Sequence, residues 1–167
     1  MTIPEGTTTS PAGPVRILEG QAASERAARA LARYYAELGE RIEGFDVSLL
    51  EAADPTDVTP PHGDFMLLTE LVTGTVLGCG GVRVLSGTEV ELRRMWLSPD
   101  ARGKGLGRFL LRALENRARS LGGRRVVLSV NEALTEAVSL YESAGYEPTT
   151  PFGDNPFVQI YLGKDLG

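Results

Sequence analysis

A chain of 167 residues, 42% hydrophobic and 23% charged, has the size and balance of one globular domain. The single cysteine, Cys79, excludes a disulfide framework, and the single histidine, His62, makes a histidine-based zinc centre improbable, so no metal is expected. A net charge of −5 argues against general nucleic-acid binding, and no apolar run approaches membrane-spanning length.

Residues 1–14 are rich in Thr, Pro and Gly and are expected to be a disordered tail. They have neither the basic nor the apolar region of a signal peptide, and a cytoplasmic protein is the simplest reading. Residues 15–167 are expected to form a single domain. "VRILE" (15–19) reads as a first strand. From Ala22 to Arg41, Ala27, Leu31, Tyr34 and Leu38 recur at spacings of three and four, which predicts an amphipathic helix. Residues 42–63 read mostly as loop, with a short helix near 48–53.

Three strands follow, over 64–71, 75–85 and 88–98, joined by the turns "VTG" and "SGT". Gly78, Gly80 and Gly81 within the second predict a bulge or a close backbone approach. The period then changes. Leu106, Leu110, Leu114, Ala118 and Leu121 mark a helix over about 104–121, closed by Gly122-Gly123. A buried strand (124–131), a helix (133–144) stopped by Gly145 and an alternating final strand (157–166) complete the chain. Hairpin strands followed by a β-α-β-α unit imply a mixed, mostly antiparallel α/β sheet of about six to seven strands flanked by helices.

Residues 93–112 carry Arg93, Arg94, Arg102, Lys104, Arg108 and Arg112 against Asp100 alone. A local cationic stripe on an acidic chain fits a specific small anion, or a solvated helix face. Within it, "RGKGLG" (102–107) lies between a strand and a helix. A helix N-terminus offers unpaired N–H groups and the positive end of its dipole, and glycines let a phosphate approach them. The P-loop pattern fails because Gly105, not Ser or Thr, follows Lys104. The dinucleotide fingerprint fails because Arg108 stands at its last glycine. The pattern [RQ]-x-x-G-x-[GA] is satisfied from Arg102 to Gly107.

With that loop, "VELRRMWLSPDARGKGLGRFLLRALENRARSLG" resembles the coenzyme-A-binding core of the GNAT acetyltransferases, and "AVSLYESAGY" (137–146) is similar to the family's last core helix. The resemblance covers 15–165 in element order and 89–146 in motif detail. It implies a splayed central strand pair, acetyl-CoA as co-substrate, and transfer of the acetyl group to a primary amine of a small molecule or peptide; with no residue well placed as a covalent nucleophile, direct attack in a ternary complex is expected. It also implies coenzyme contacts at Met95, Trp96, Leu97, Arg102, Gly103, Lys104, Gly105, Leu106, Gly107 and Arg108. A non-catalytic coenzyme-A-binding sensor or interaction module is the alternative. Many relatives dimerise, so a homodimer is open.

Acetyl transfer to an amine needs a proton acceptor and an acid for the departing thiolate. Glu91, on the strand entering the glycine loop, resembles the glutamate base of some members. It also reads as a surface carboxylate paired with Arg83 or Arg93, and Glu70 and Glu89 are weaker substitutes. Tyr141 is the candidate acid by the match of "LYESAGY", although its spacing alone reads as a core aromatic. Trp96 fits both a core position and a coenzyme contact. Many relatives carry an Asn seven residues before the Tyr; here that position is Leu134, and Asn131 either substitutes or caps the helix. His62 reads as an incidental loop residue and Cys79 as a buried, inert thiol.

On the acceptor side, residues 37–70 hold Glu37, Glu40, Glu43, Asp46, Glu51, Asp54, Asp57, Asp64 and Glu70 against Arg41 alone. This is either a negative wall suited to a cationic amine such as a polyamine, aminoglycoside or lysine, or a solvated acidic loop.

Overall fold

The computed structural model describes residues 7–10, 13–50 and 54–167. One sheet runs in the order β1-β2-β3-β4-β5-β6-β8-β7, with β1 Thr7–Ser10, β2 Gly13–Leu18, β3 Gly63–Glu70, β4 Val76–Ser86, β5 Glu89–Leu97, β6 Arg125–Val130, β7 Glu147–Pro148 and β8 Ile160–Asp165. Only β5 and β6 pair in parallel; every other neighbour is antiparallel. The mixed, mostly antiparallel sheet expected from the sequence is present. It is one to two strands wider than expected, because β1 and the two-residue β7 extend its edges.

The tail expected over 1–14 lies partly outside the described residues, at 1–6, 11 and 12. Thr7–Ser10 is described and pairs with Gly13–Arg16. The threonine run there is β-branched, which suits a strand once β2 offers its edge. Of the short helix expected near 48–53, a single 3₁₀ turn at Val47–Leu49 is described, and 51–53 lie outside the described residues.

Three helices flank the sheet: α1 Glu25–Arg41, α2 Leu106–Ser120 and α3 Thr135–Ser143. Ser24 starts α1 by accepting the Ala27 N–H at 3.0 Å, and Glu25 suits the positive end of the helix. Ala27 and Ala30 of α1 pack with Phe65, Leu67, Cys79 and Trp96 on one face of the sheet. Leu110, Leu111 and Leu114 of α2 pack with Met66, Leu68, Val82, Val90 and Leu92 on the other. Alternate residues of β3 thus serve opposite layers, as a strand buried on both sides requires.

Strand β5 changes face part-way. Val90 and Leu92 point to α2, and regular alternation would send Trp96 the same way. Trp96 instead packs against α1. Its partner Cys79 and the pair Gly81–Arg93 leave Gly80 opposite both Arg94 and Met95, a bulge in β5. Arg94 takes a left-handed φ of 51°, and the extra residue flips the side chains that follow. At Gly80 a Cβ would lie 2.6 Å from Leu114 Cδ1, so α2 sits directly on the β4 backbone there.

The β5–β6 pair is the hinge of the architecture. It is registered over Glu89–Arg125, Val90–Val126 and Glu91–Val127 and then stops. Beyond Glu91 the two strands no longer bond to each other. This is the splayed central pair the sequence led us to expect, and it opens the sheet at its centre.

Candidate active site

The open part of the sheet carries two cavities. The first, of about 370 Å³, runs along Met95, Trp96 and Leu97 to Arg102, Gly103, Gly105, Gly107 and Arg108. The second, of about 330 Å³, lies beyond Glu91, Arg93 and Arg94 under Phe45, Phe152 and Phe157. Tyr34, Leu38, Met95, Leu134, Ala137 and Tyr141 line both and form their common wall.

The glycine loop explains how α2 begins. Gly103 and Gly105 both take φ of 77°, a region costly for a side chain, and Gly105 occupies the cap position with no side chain over the helix end. The first bond of the helix runs from the Phe109 N–H to the Gly105 carbonyl. The N–H groups of Leu106, Gly107 and Arg108 therefore precede the helical ladder. Arg108 also donates to Ser143 Oγ on α3 at 2.7 Å, which ties the loop to that helix. The Leu106 side chain itself is buried in the core, and Lys104 is exposed outside both cavities.

Arg102 does not project freely. Its Nη2 donates to both oxygens of Glu37 at 2.7 Å, and its Nε donates to the Leu97 carbonyl at 3.1 Å. Glu37 also accepts from Trp96 Nε1 at 3.2 Å and from Arg41, whose guanidinium continues to Glu136 on α3. Burial alone would raise the Glu37 pKa, but the hydrogen bonds from Arg102, Trp96 and Arg41 outweigh it and hold the carboxyl below its usual range. The Arg41 hydrogen bonds bring Glu136 down to about 2.

Tyr141 sits in the common wall. Burial pushes its hydroxyl pKa up, so the phenol stays protonated at neutral pH. Tyr34, across from it on α1, is raised by burial first and by Tyr141 next. Tyr141 also packs edge-on against Tyr146 in the core, the position its helical spacing implies.

Glu91 stands at the last paired position before the splay. Its Oε1 accepts from Arg83 Nη2 at 3.0 Å and lies 3.6 Å from Arg93 Nε. The pairing considered with either arginine thus occurs with both. Asn131 lines the cavity beyond Glu91, away from the glycine loop. Its Nδ2 donates to the Phe157 carbonyl at 2.6 Å and its Oδ1 accepts the Ala133 N–H at 2.8 Å, so its carboxamide fastens the chain before α3 to the loop before β8. That loop includes residues 157–159, which were expected to be strand; Phe157 and Val158 line the cavity instead.

The acidic run over 37–70, read as either a wall for a cationic amine or a solvated loop, is in part committed to structural partners. Asp46 and Asp54 cap 3₁₀ turns, and Asp64 is buried against Arg117 at 2.8 Å. Asp57 pairs with Arg83, and Glu37 belongs to the Arg102 network. Glu51 lies outside the described residues. Cys79 is buried and its thiol is pushed up to about 12, which leaves no thiolate at neutral pH.

Sequence reasoning missed Tyr34, Glu37, Arg41, Arg94 and Glu136 as cavity residues. The one signal was "RYY" (33–35): two adjacent tyrosines on a helix cannot both face the same core. No helix among the described residues is long and apolar enough to cross a membrane, and they contain no cluster of three potential metal ligands.

A sequence model described as the Acetyltransferase (GNAT) family matches residues 31–146. An uncharacterised N-acetyltransferase of Schizosaccharomyces pombe is 35% identical over 102 residues, which are 60% of this chain and 62% of that protein. The chain thus spans less than two thirds of that relative. The N-alpha-acetyltransferase RimI of Mycobacterium tuberculosis is 32% identical over 122 residues, 71% of this chain and 74% of that one. The fold is also that of the Salmonella typhimurium protein yncA, solved with its cofactor acetyl-CoA. That match has a TM-score of 0.65 and 20% identity, over 92% of this chain and 94% of that one.

Proposed function

The chain belongs to the GNAT acetyltransferase family, and on that premise we propose that it transfers the acetyl group of acetyl-CoA to a primary amine, with both substrates bound at once. The observation that carries this reading is the pair of cavities with a common wall. One reaches the glycine loop and the other opens on the far side of Tyr141 and Met95. Two substrates entering from opposite sides meet where those residues stand.

The residues on the loop side fit the coenzyme. The N–H groups of Leu106, Gly107 and Arg108 and the Arg108 guanidinium suit its pyrophosphate. Two left-handed glycines with open space above them leave room for it. The unpaired stretch of β5 at Met95–Leu97 suits its amide-bearing arm. When bound, acetyl-CoA supplies the activated thioester.

The chain's own residues supply positioning and proton transfer. The β5 backbone past the splay is the source of N–H donors for the carbonyl oxygen as it gains charge. Glu91 takes the proton that the amine must lose. The protonated hydroxyl of Tyr141 donates to the departing sulfur. The buried Cys79 thiol offers no nucleophile, which favours direct attack.

The test is release of free thiol from acetyl-CoA on addition of a panel of amines. Amine-dependent release that falls in Tyr141→Phe supports transfer. Coenzyme binding without release for any amine overturns it and favours a coenzyme-binding module.

A further inference from the structure

None of the described carboxylates of 37–70, which read from sequence as either a wall for a cationic amine or a solvated loop, lines the cavity beyond Glu91. Three arginines line it, Arg83, Arg93 and Arg94, against Glu91 and, at the exposed rim, Asp154. Arg83 and Arg93 hold Glu91 between them. Arg94 differs. Its Nε donates to Tyr35 Oη at 2.7 Å, and among the described residues it has no carboxylate within 4.0 Å. One hydrogen bond fixes the plane of the guanidinium and leaves its two Nη groups as donors.

The backbone at Arg94 is costly to build. A non-glycine residue at φ 51° is strained, and such strain persists where the surroundings fix it. Here the β5 bulge opposite Gly80 fixes it, and Arg94 lines the cavity with its neighbours. Arg94 is thereby set beside the Tyr34–Tyr35 pair, whose rings lie 5.2 Å apart, next to the wall that holds Tyr141.

We infer that the acceptor carries an anionic group, a carboxylate, that seats on Arg94, with its apolar body against Phe45, Phe152 and Phe157. A planar guanidinium with paired donors matches a carboxylate, and a second cationic group on the acceptor would meet like charge. The acceptor class is an amino acid or a similar small amino-carboxylate, as opposed to a polyamine or aminoglycoside. This rests on the acetyl-transfer reading for the amine and on the cavity alone for the carboxylate.

Calorimetric titration of the protein saturated with coenzyme A tests it. The probes are L-phenylalanine, L-leucine and L-methionine, each paired with its carboxamide. The expected result is that at least one acid binds about tenfold or more tightly than its amide, as a charge-assisted pair implies. Arg94→Gln narrows that ratio and Arg94→Lys retains part of it, with a thermal melt confirming that both fold. Equal or tighter binding of the amides, or no measurable binding of any acid, overturns the inference. Thiol release separates the two readings. Acid-selective binding without any release fails the transfer reading alone. Release that is as fast with polyamines or amides as with the acids fails this inference alone.

Discussion

Glu37, near the end of α1, accepts hydrogen bonds of 2.7 Å at both carboxylate oxygens from Arg102, sixty-five residues away at the head of the glycine loop. The first residue of the motif is thus held in place by a helix that the motif does not include. Trp96 and Arg41 share the same carboxylate. Glu37→Ala leaves two guanidiniums without their common partner. A loss of about 2 kcal/mol in unfolding free energy is expected, between the values of an exposed and a buried pair. Chemical denaturation at neutral pH measures it, and Glu37→Gln is expected to lose less because the amide still accepts.

The same network sets an acid limit on stability. Glu37 lies below its usual pKa and Glu136 near 2, so each carboxylate is easier to protonate in the unfolded chain. Their stabilisation is fully present above about pH 4.5, the ordinary Glu value, and is lost as pH falls towards the folded values. Melting temperatures taken from pH 6 to pH 3 are expected to fall more steeply in the wild type than in Glu37→Gln/Glu136→Gln. Parallel slopes would dissociate these two residues from the acid transition.

Tyr141 titrates above the ordinary tyrosine range because it is buried. Its hydroxyl therefore remains a donor across the pH range of an ordinary assay, and it adds no descending limb to the rate profile below about pH 10. Tyr141→Phe is expected to lower kcat by about a hundredfold with little change in the KM for acetyl-CoA, as loss of a general acid implies. Steady-state kinetics with both substrates varied measures this. A change confined to KM would assign the tyrosine to packing alone.

A second buried network is structural. Glu115 of α2 accepts from Tyr146 at 2.8 Å and pairs with Lys164 of β8 at 3.1 Å, and it is 5% exposed. Glu115→Ala leaves the ammonium and the phenol facing a void, and a loss of about 3 kcal/mol or more is expected. Urea unfolding measures it. A cost below that of an exposed ion pair would mean that water replaces the carboxylate.

Much of the architecture could be read from the chain because it follows from local patterns. The helices over 25–41 and 106–120 follow apolar spacing, and the glycine loop announces itself by three glycines before an amphipathic run. The bulge at Arg94–Met95 could not be read that way. "ELRRMWL" alternates poorly, and the pairing register with β4 and the left-handed φ of Arg94 show where the extra residue lies. The acceptor side was obscured for a related reason. Formal charge along 37–70 counts carboxylates without showing that Asp64 faces Arg117 or that Glu37 faces Arg102. Asn131 and Arg94 likewise take their surroundings from residues distant in sequence, Phe157 in one case and Tyr35 in the other.

The proposed function places acetyl-CoA in the splay with its pyrophosphate on the loop from Gly103 to Gly107. Titration of acetyl-CoA into the wild type and into Gly105→Glu tests it most directly. The carboxylate would stand at the cap of α2, in a left-handed position, where the phosphates are proposed to lie. A measurable heat of binding is expected for the wild type, with a loss of at least a hundredfold in affinity for a folded Gly105→Glu, as the exclusion of one charged group by another implies. Equal affinity in the two proteins, or no binding to the wild type, would contradict it.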